Sequence, residues 1–158
     1  MLRGVASAVL ASTLMGSPAH AVDPSAALAV VQRFAAAPDR ATYASFCAPD
    51  MIYVDHVPPY VFSGPSACED EWDAAERWAQ QNRLEVTDWG RITAPSFVDV
   101  HDDSVYAVYP VRATLTRNGR REVEEGFWTF VVQRRASGWL IRAATFSTVQ
   151  FVPDGEPR

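Results

Sequence analysis

Apolar residues recur at helical spacing in the first part of the chain and alternate with polar residues after about residue 84. A stripe such as Leu28, Val31 and Phe34 would face a core if its segment were helical. Start and stop signals bound three such segments: one opening at Asp23-Pro24, a short one carrying Tyr43, Phe46 and Cys47 and ending before Pro49, and one opening at Gly64-Pro65 and ending near Asn82. A short strand over 51–55 is predicted between the second and third helices.

The second part predicts an antiparallel meander of four strands, over 84–101, 105–116, 122–134 and 139–151. Turn signals separate them, and the strongest is Asn118-Gly119, because both positions of a tight hairpin turn favour positive φ. Pro95 predicts a break in the first of these strands. Helices followed by a meander predict a single α+β domain over 22–152, with three N-terminal helices packed on a curved antiparallel sheet.

The two ends of the chain are predicted to lie outside this domain. A basic start with Arg3, an apolar run over 5–14 and the small-residue site Ala19-His20-Ala21 are typical of a secretory signal peptide over 1–21. The apolar run is shorter than the roughly 20 residues of a membrane span, so we expect no membrane association after cleavage. The expected location is therefore periplasmic or secreted. Residues 153–158 are expected to form a disordered tail.

Composition narrows the function classes. The formal net charge of −5 argues against a nucleic-acid partner, which requires a basic face. The chain has no lysine, which excludes Schiff-base chemistry by a side-chain amine. Export favours a disulfide between Cys47 and Cys68; two free thiols are the alternative, and a cysteine nucleophile is less favoured than either.

The predicted strands are apolar on both faces. Trp128, Phe130 and Val132 alternate with Phe127 and Val131, yet helices can cover only one face of a sheet. Since large apolar patches seldom stay exposed, we expect a homodimer packed through the outer face of the sheet.

Asp55 and His56 are the candidate chemistry, because they end the first strand just before Pro58-Pro59. Strand alternation places neighbouring side chains on opposite faces, so the two form a pair only if the Pro-rich bend rotates one of them. In apolar surroundings Asp55 would suit proton abstraction. It could also be a polar group of a pocket, or a turn acid that hydrogen-bonds the following backbone.

Other polar residues give weaker signals. The acidic run of Glu69, Asp70, Glu71 and Asp73 is interpreted as a solvated helix face, favoured by the helix dipole. A metal site is not predicted, since His56 and His101 lie 45 positions apart and the cysteines are expected to be paired. No cofactor is predicted either.

Aromatic residues could line a small-molecule pocket. The candidate lining residues are Phe34, Tyr53, Trp89, Tyr109, Trp128 and Phe130. The alternative is that most of them are core residues.

Several short segments in the same order resemble a known superfamily. They are Ala48-Pro49-Asp50 ahead of the strand that ends at Asp55, Phe62-Ser63-Gly64-Pro65, Gly138-Trp139-Leu140-Ile141 and Phe146-Ser147. With them the chain resembles the SnoaL-like, nuclear transport factor two-like superfamily over about 25–151. The resemblance implies a cystatin-like cone with a pocket.

The resemblance also implies roles for single positions. Asp55 is similar to the general base of ketosteroid isomerase, a relative on this fold. The oxyanion donors of that enzyme, a Tyr on the first helix and a protonated Asp on a later strand, match Phe34 and Phe130 here, so both donors are absent.

Three functions follow as expectations. The first is an exported domain that binds a small apolar or aromatic molecule in its cone. The second is a cofactor-free acid-base enzyme of the isomerase, dehydratase or cyclase type, with Asp55 as base and His56 or Tyr60 assisting. The third is a protein-interaction module that uses the outer face of the sheet.

Overall fold

The computed structural model describes residues 23–88 and 92–155, apart from the side chains of residues 87 and 88. The predicted signal peptide, the pocket candidate Trp89 and the last three residues of the predicted tail lie outside the described residues. The helices are α1 (Ser25–Ala35), α2 (Arg40–Ala44) and α3 (Ala67–Gln81). The strands are β1 (Cys47–Val54), β2 (Val61–Ser63), β3 (Leu84–Asp88), β4 (Phe97–His101), β5 (Ser104–Arg117), β6 (Arg120–Arg135) and β7 (Gly138–Pro153).

The seven strands form one sheet in the order β2-β1-β7-β6-β5-β3, and β4 also pairs with β5. All pairs are antiparallel except β1 with β7, which run parallel. The predicted α+β architecture, three N-terminal helices on a curved and mostly antiparallel sheet, is confirmed. The predicted hairpin turn at Asn118-Gly119 is also confirmed, with both residues at positive φ between β5 and β6.

Three predicted elements are corrected. The second helix ends at Ala44, and Cys47 begins β1, so Pro49 lies inside a strand. Pro49 is tolerated there because the pairing of β1 with β7 is irregular between Cys47 and Ile52. The predicted strand over 84–101 is two strands, β3 and β4, which pair with opposite ends of β5.

Two further features lie beyond the predicted elements. The short strand β2 was not predicted; its three residues pair with the end of β1. At the other end of the chain, β7 continues through Pro153, where we expected the tail to begin, and Pro153 pairs with Glu122.

The core lies between the helices and one face of the sheet. Rows of paired residues cross β5, β6 and β7 on this covered face: Val105 with Val132 and Ile141; Ala107 with Phe130 and Ala144; Tyr109 with Trp128 and Phe146; Val111 with Gly126 and Thr148; Ala113 with Glu124 and Phe151. The third and fourth are called the Trp128 row and the Gly126 row below. Helix α1 buries Ala27, Val31 and Phe34 against the first rows.

A disulfide joins Cys47 to Cys68, with a Cα–Cα distance of 6.6 Å, so the predicted pairing is confirmed. It links the start of β1 to the start of α3, rather than the end of a helix to α3. Asp55 directly follows β1, and Glu71 lies on α3, so the disulfide links the strand before one residue of the site described next to the helix that carries the other.

Candidate functional site

The site begins in the bend that follows β1. The Asp55 N–H donates to the Tyr60 carbonyl oxygen at 3.0 Å, and the Tyr60 N–H donates to the Val57 carbonyl oxygen at 2.8 Å. The Asp55 Oδ1 atom accepts a hydrogen bond from the Val57 N–H at 3.1 Å. The bend contains a cis peptide between Pro58 and Pro59, and Tyr60 has a φ of 75°. Because β1 ends at Val54, Asp55 and His56 are released from strand alternation.

Asp55 and His56 form a close pair. The Asp55 Oδ1 atom lies 2.9 Å from His56 Nδ1. Asp55 is only 8% exposed, and the His56 side chain is 28% exposed. The bend thus brings together two side chains that strand alternation alone would separate. Asp55 also accepts the local backbone hydrogen bond of a turn acid, so it is both a turn residue and a member of a buried pair.

His56 is held by residues of the sheet as well. The Thr148 hydroxyl lies 3.3 Å from His56 Nδ1 and donates a short hydrogen bond to Glu124 Oε1, which lies 3.9 Å from His56 Nε2. The ring of Trp78 packs edge-on against His56 with centroids 4.9 Å apart, and Phe146 lies at 5.7 Å. Two carboxylates and two aromatic rings therefore surround the imidazole.

The surroundings change the proton affinity of His56. Burial acts to lower its pKa, but the hydrogen bond with Asp55 and the negative charges of Asp55 and Glu124 outweigh burial, and the pKa is raised above 6.5. The imidazole therefore takes up a proton more readily than a solvated histidine does.

Glu71 is the second titratable group of the site. It is 5% exposed, and its Oε2 atom accepts a hydrogen bond from Tyr43 Oη at 2.8 Å; that hydroxyl lies 3.3 Å from Tyr53 Oη. Burial, followed by the charge of Asp55, raises the pKa of Glu71 to about 8. Glu71 thus holds a proton at neutral pH, next to Asp55.

The prediction that the acidic run is a solvated helix face is wrong for Glu71 and correct for its neighbours. Glu69 and Asp73 bind the half-buried Arg40, and Asp70 accepts a hydrogen bond from Ser66. The sequence carried a signal for Glu71, since it lies three positions after Cys68 and three before Ala74, and all three are buried on α3.

Glu124 and Thr148 were also missed. Glu124 keeps step with Trp128 and Phe130 along β6 at even spacing, which places it on the covered face. Thr148 could not be placed so simply, because a bulge shifts the register of β6 and β7 between Glu125 and Gly126.

Tyr60, the third candidate acid-base residue, is not brought to the pair. Its side chain is 55% exposed, and only its backbone contacts Asp55. The two positions that the resemblance matches to oxyanion donors, Phe34 and Phe130, are fully buried and pack edge-on at 5.7 Å.

The aromatic residues proposed as pocket lining divide into two groups. Phe34, Tyr53, Tyr109 and Phe130 are fully buried, and the ring centroid of Phe130 lies 5.7 Å from that of Phe34 and 5.9 Å from that of Tyr109. These four residues pack as core. Trp128 is half-buried and packs against Phe146 at 5.9 Å, on the side of His56. The boundary between filled core and polar site therefore runs through the Trp128 row.

A separate surface groove of about 390 Å³ lies beside the bend, between β2 and α3. Its lining residues are Pro59, Val61, Phe62, Ser63, Asp70, Asp73 and Arg77. Asp55 and His56 do not line it, so it is distinct from the buried pair.

Across residues 23–88 and 92–155, three or more His, Cys, Asp or Glu side chains do not converge as a metal site. None of the helices described in those ranges has the length and apolar character needed to cross a membrane.

No protein-family model and no curated protein matches this sequence. Solved structures match its fold. A ketosteroid isomerase-like protein from Erwinia carotovora atroseptica SCRI1043 has a TM-score of 0.62 and 13% identity, over 79% of this chain and 95% of that chain. The hexachlorocyclohexane dehydrochlorinase LinA-type3 from Novosphingobium barchaimii LL02 has a TM-score of 0.58 and 12% identity, over 84% and 88%. An NTF2-like protein with a cystatin-like fold from Novosphingobium aromaticivorans has a TM-score of 0.58 and 15% identity, over 81% and 80%.

These matches define the class. The chain has the cystatin-like α+β fold of NTF2-like proteins, as the sequence resemblance implied. Identities of 12% and 15% establish a shared fold, and one fold supports many chemistries. Function therefore has to be argued from the site.

Proposed function

We propose that the protein binds a small apolar or aromatic molecule in its cone, beside the Asp55–His56 pair. The observation that carries this proposal is the pair itself, whose atoms lie 2.9 Å apart beneath the rings of Trp78 and Phe146. Apolar walls with a few fixed polar groups are what small-molecule sites use. Trp128 and Phe146 are half-buried, so part of each residue remains accessible to solvent.

The NMR signal of the His56 side chain tests whether a ligand binds beside the pair. Candidate ligands, a panel of small aromatic and alicyclic compounds, are added to the protein while the imidazole carbon-bound protons are followed by NMR. Binding should shift the His56 signal and leave His101 unchanged, since the His101 side chain is 88% exposed at a hairpin turn. Native mass spectrometry of protein purified from its source should show a bound small molecule. Unchanged His56 signals at millimolar ligand, together with a bare protein mass, would refute binding.

A second candidate function is cofactor-free proton transfer to or from the bound molecule. Two observations favour this function. Asp55 orients the Nδ1 side of His56, and Glu71 carries a proton beside Asp55. The imidazole would act as the acid or base, since a group whose pKa lies near the working pH transfers protons best. Two fold relatives carry enzyme names, a ketosteroid isomerase-like protein and a hexachlorocyclohexane dehydrochlorinase, which supports the choice of an enzyme as the second candidate.

Proton transfer is tested by deuterium exchange at the carbons next to the carbonyl of small ketones in D2O. The wild-type protein should exchange deuterium faster than buffer alone. Asp55→Asn and His56→Gln should each lower that exchange rate by at least about 100-fold. The side-chain amide oxygen introduced by Asp55→Asn can still accept the hydrogen bond from the Val57 N–H, so the fold is retained. If wild type exchanges no faster than buffer but binds ligand, and Asp55→Asn changes only affinity, the protein is a binder without this activity.

We further propose that the chain is exported and cleaved before Val22. The leader pattern over 1–21 and the Cys47–Cys68 disulfide support export, because disulfides persist in oxidising compartments. The intact mass of the exported protein should place its N-terminus at Val22 or within a few residues of it. Recovery of the full-length chain from the cytoplasm of its host would contradict export.

A further inference from the structure

Glu71 and Asp55 share one proton between them. Their side chains are hydrogen-bonded to each other, and the two residues are only 5% and 8% exposed. Two buried carboxylates in contact cannot both be ionised, because their like charges repel. Asp55 is the charged member, since its Oδ1 atom accepts the Val57 N–H at 3.1 Å and lies 2.9 Å from His56 Nδ1, and such contacts stabilise a carboxylate. The proton therefore lies on Glu71.

Tyr43 determines which oxygen of Glu71 carries that proton. The Glu71 Oε2 atom accepts the hydrogen of the Tyr43 hydroxyl at 2.8 Å. The other oxygen, Oε1, is then left to carry the proton and to donate it to Asp55. Tyr43 is itself held in place, since its ring stacks on Phe34 with centroids 4.0 Å apart and its hydroxyl lies 3.3 Å from Tyr53 Oη. The fold thus holds a neutral acid with its hydrogen directed to Asp55.

The hydrogen of the neutral His56 ring lies on Nδ1. Two oxygens face this nitrogen, Asp55 Oδ1 and, at 3.3 Å, the Thr148 hydroxyl oxygen. A carboxylate can only accept, and the single hydrogen of the Thr148 hydroxyl is donated to Glu124. Both oxygens are therefore acceptors, and they require an N–H between them. Nε2 is left with the lone pair, and it makes no hydrogen bond to any residue of 23–88 or 92–155.

We propose that Glu71 is a positioning residue of the acid-base site. Its proton keeps Asp55 ionised and oriented, Asp55 keeps the ring hydrogen of His56 on Nδ1, and Nε2 is therefore the atom that exchanges a proton with the bound molecule. This inference rests on the proposed binding of a small molecule beside the pair. Glu71 acts on that molecule only through Asp55 and His56.

The step at Nε2 moves one proton and needs no further reactant. A C–H bond of the bound molecule breaks, its electron pair stays on the molecule, and the proton bonds to Nε2. The imidazolium that forms keeps its Nδ1 hydrogen and is stabilised by Asp55 and by Glu124, whose Oε1 atom lies 3.9 Å from Nε2. It then returns a proton to the molecule, at the same carbon or at another, and the neutral ring is restored.

Two substitutions of Glu71 separate its hydrogen bonds from its charge. The amide introduced by Glu71→Gln can accept the hydrogen bond from Tyr43 and donate one to Asp55, as a protonated carboxyl does, but it does not titrate. Glu71→Leu removes both hydrogen bonds. Glu76→Gln, an exposed change on the same helix, is the control.

NMR of the ring nitrogens of His56 tests the inference in the ligand-free protein. In wild type, Glu71→Gln and the control, the neutral ring should show a protonated Nδ1 and an unprotonated Nε2. In Glu71→Leu the fraction of rings with the hydrogen on Nε2 should rise, because Asp55 is no longer held. A folded Glu71→Leu with the wild-type spectrum would overturn the inference.

The pH dependence of the His56 signals gives a test that does not require Glu71→Leu to fold. Burial, followed by the charge of Asp55, raises the pKa of Glu71 to about 8, so its proton leaves around that pH. The carbon-bound proton signals of His56 should therefore titrate in two steps in wild type and in one step in Glu71→Gln. The other groups that act on His56, which are Asp55, Glu124 and Arg117, are common to both proteins. The same number of steps in both proteins would overturn the inference.

The two tyrosines that face Glu71 do not add a step. Burial is the main cause that raises the pKa values of Tyr43 and Tyr53 well above 10, so both hydroxyls remain neutral across this titration. A step that is present in wild type and lost in Glu71→Gln therefore belongs to Glu71.

Deuterium exchange in small ketones connects these contacts to the chemistry. Glu71→Leu should lower the wild-type exchange rate about tenfold or more, the contribution expected of a hydrogen bond to a charged group. Glu71→Gln should keep the rate within about threefold of wild type, because the amide still donates to Asp55. Equal losses in Glu71→Gln and Glu71→Leu would overturn the inference, since the donated hydrogen bond would then have no effect on the rate.

The outcomes distinguish this inference from the proposal on which it rests. If compounds of the panel bind but both Glu71 variants keep the His56 spectrum and titration of wild type, only the inference fails. If His56 behaves as expected and no compound binds or exchanges, binding in the cone is refuted, and the role of Nε2 is refuted with it.

Discussion

Glu71 should give the protein a distinctive dependence of stability on pH. Its carboxyl has an ordinary pKa of 4.5 when unfolded and about 8 when folded, so between these values the folded state holds a proton that the unfolded state has released. The free energy of unfolding should therefore fall as pH rises, by up to about 1.4 kcal/mol per pH unit. The contribution of Glu71 is complete below about pH 4.5 and is lost above about pH 8.

Glu71→Gln isolates this effect. The side-chain amide that this substitution introduces can still accept the hydrogen bond from Tyr43, but it does not titrate, so urea unfolding between pH 5 and pH 9 should show a flatter profile than wild type. Glu76→Gln, an exposed change on the same helix, should follow the wild-type profile. Equal slopes for Glu71→Gln and wild type would mean that Glu71 is ionised in the folded protein. His56 acts in the same direction, since its raised pKa gives stability that is lost as pH rises through the folded value.

Gly126 should tolerate no side chain. A Cβ added there would overlap the backbone carbonyl oxygen of Ser147, which cannot move without breaking the pairing of β6 and β7. We expect Gly126→Ala to lower the free energy of unfolding by about 3 kcal/mol, as overpacking against fixed backbone does. Urea unfolding measures this. Arg134→Ala, which truncates an exposed side chain near the end of the same strand, should cost much less, and similar losses for the two would contradict a special constraint at Gly126.

At the scale of single residues, the sequence predicted the candidates better than their contacts. Asp55 and His56 were recognised from their position before a Pro-rich bend, but their contact depends on how that bend folds. The charge of Glu71 predicts a solvated position, whereas its helical spacing from the buried Cys68 and Ala74 predicts the buried position that the structure shows. The surroundings of His56 come from β6, β7 and α3, which are distant in sequence and have no local pattern in common.

At the scale of elements, the disulfide should be the largest single covalent contribution to stability. Its loop spans a sequence separation of 21 residues, which corresponds to about 3 kcal/mol in the chain-entropy account. The double variant Cys47→Ser, Cys68→Ser should lose about that much in urea unfolding. Reducing wild type should give the same loss, and a variant as stable as oxidised wild type would show that the loop is already ordered in the unfolded chain.

The strands and turns also show which sequence patterns predict structure. The long strands β5, β6 and β7 and the turn between β5 and β6 were predicted, because alternation and turn residues are local signals. The pairing of β1 with β7 and the strand β2 were not, since strands so far apart in sequence meet for reasons of overall packing. Pro49 was interpreted as a helix stop, although the irregular start of β1 accommodates it.

At the scale of the whole molecule, the outer face of the sheet should mediate dimerisation. Large apolar residues exposed on it or at its edges are Ile52, Val54, Val61, Phe97, Tyr106, Phe127 and Val149. Light scattering at micromolar concentration should give about twice the monomer mass, and Phe127→Asp should lower the measured mass to that of the monomer. His101→Ala, at an exposed turn, is the control. A monomeric wild type would mean that these residues remain in solvent.

The parallel pairing of β1 with β7 has a consequence for how the protein folds during its synthesis. The first strand of the domain, β1, lies between the short β2 and β7 in the sheet. Its longer neighbour, β7, is the last of the described strands to be synthesised. Contacts between such distant segments form slowly, because closing the long loop between them costs entropy before the contacts between the strands can stabilise the chain. Asp55 follows β1 and Thr148 lies on β7, so the site should be among the last parts of the molecule to assemble. A nascent chain that stops before β7 would hold Asp55 and His56 without the strand that positions them.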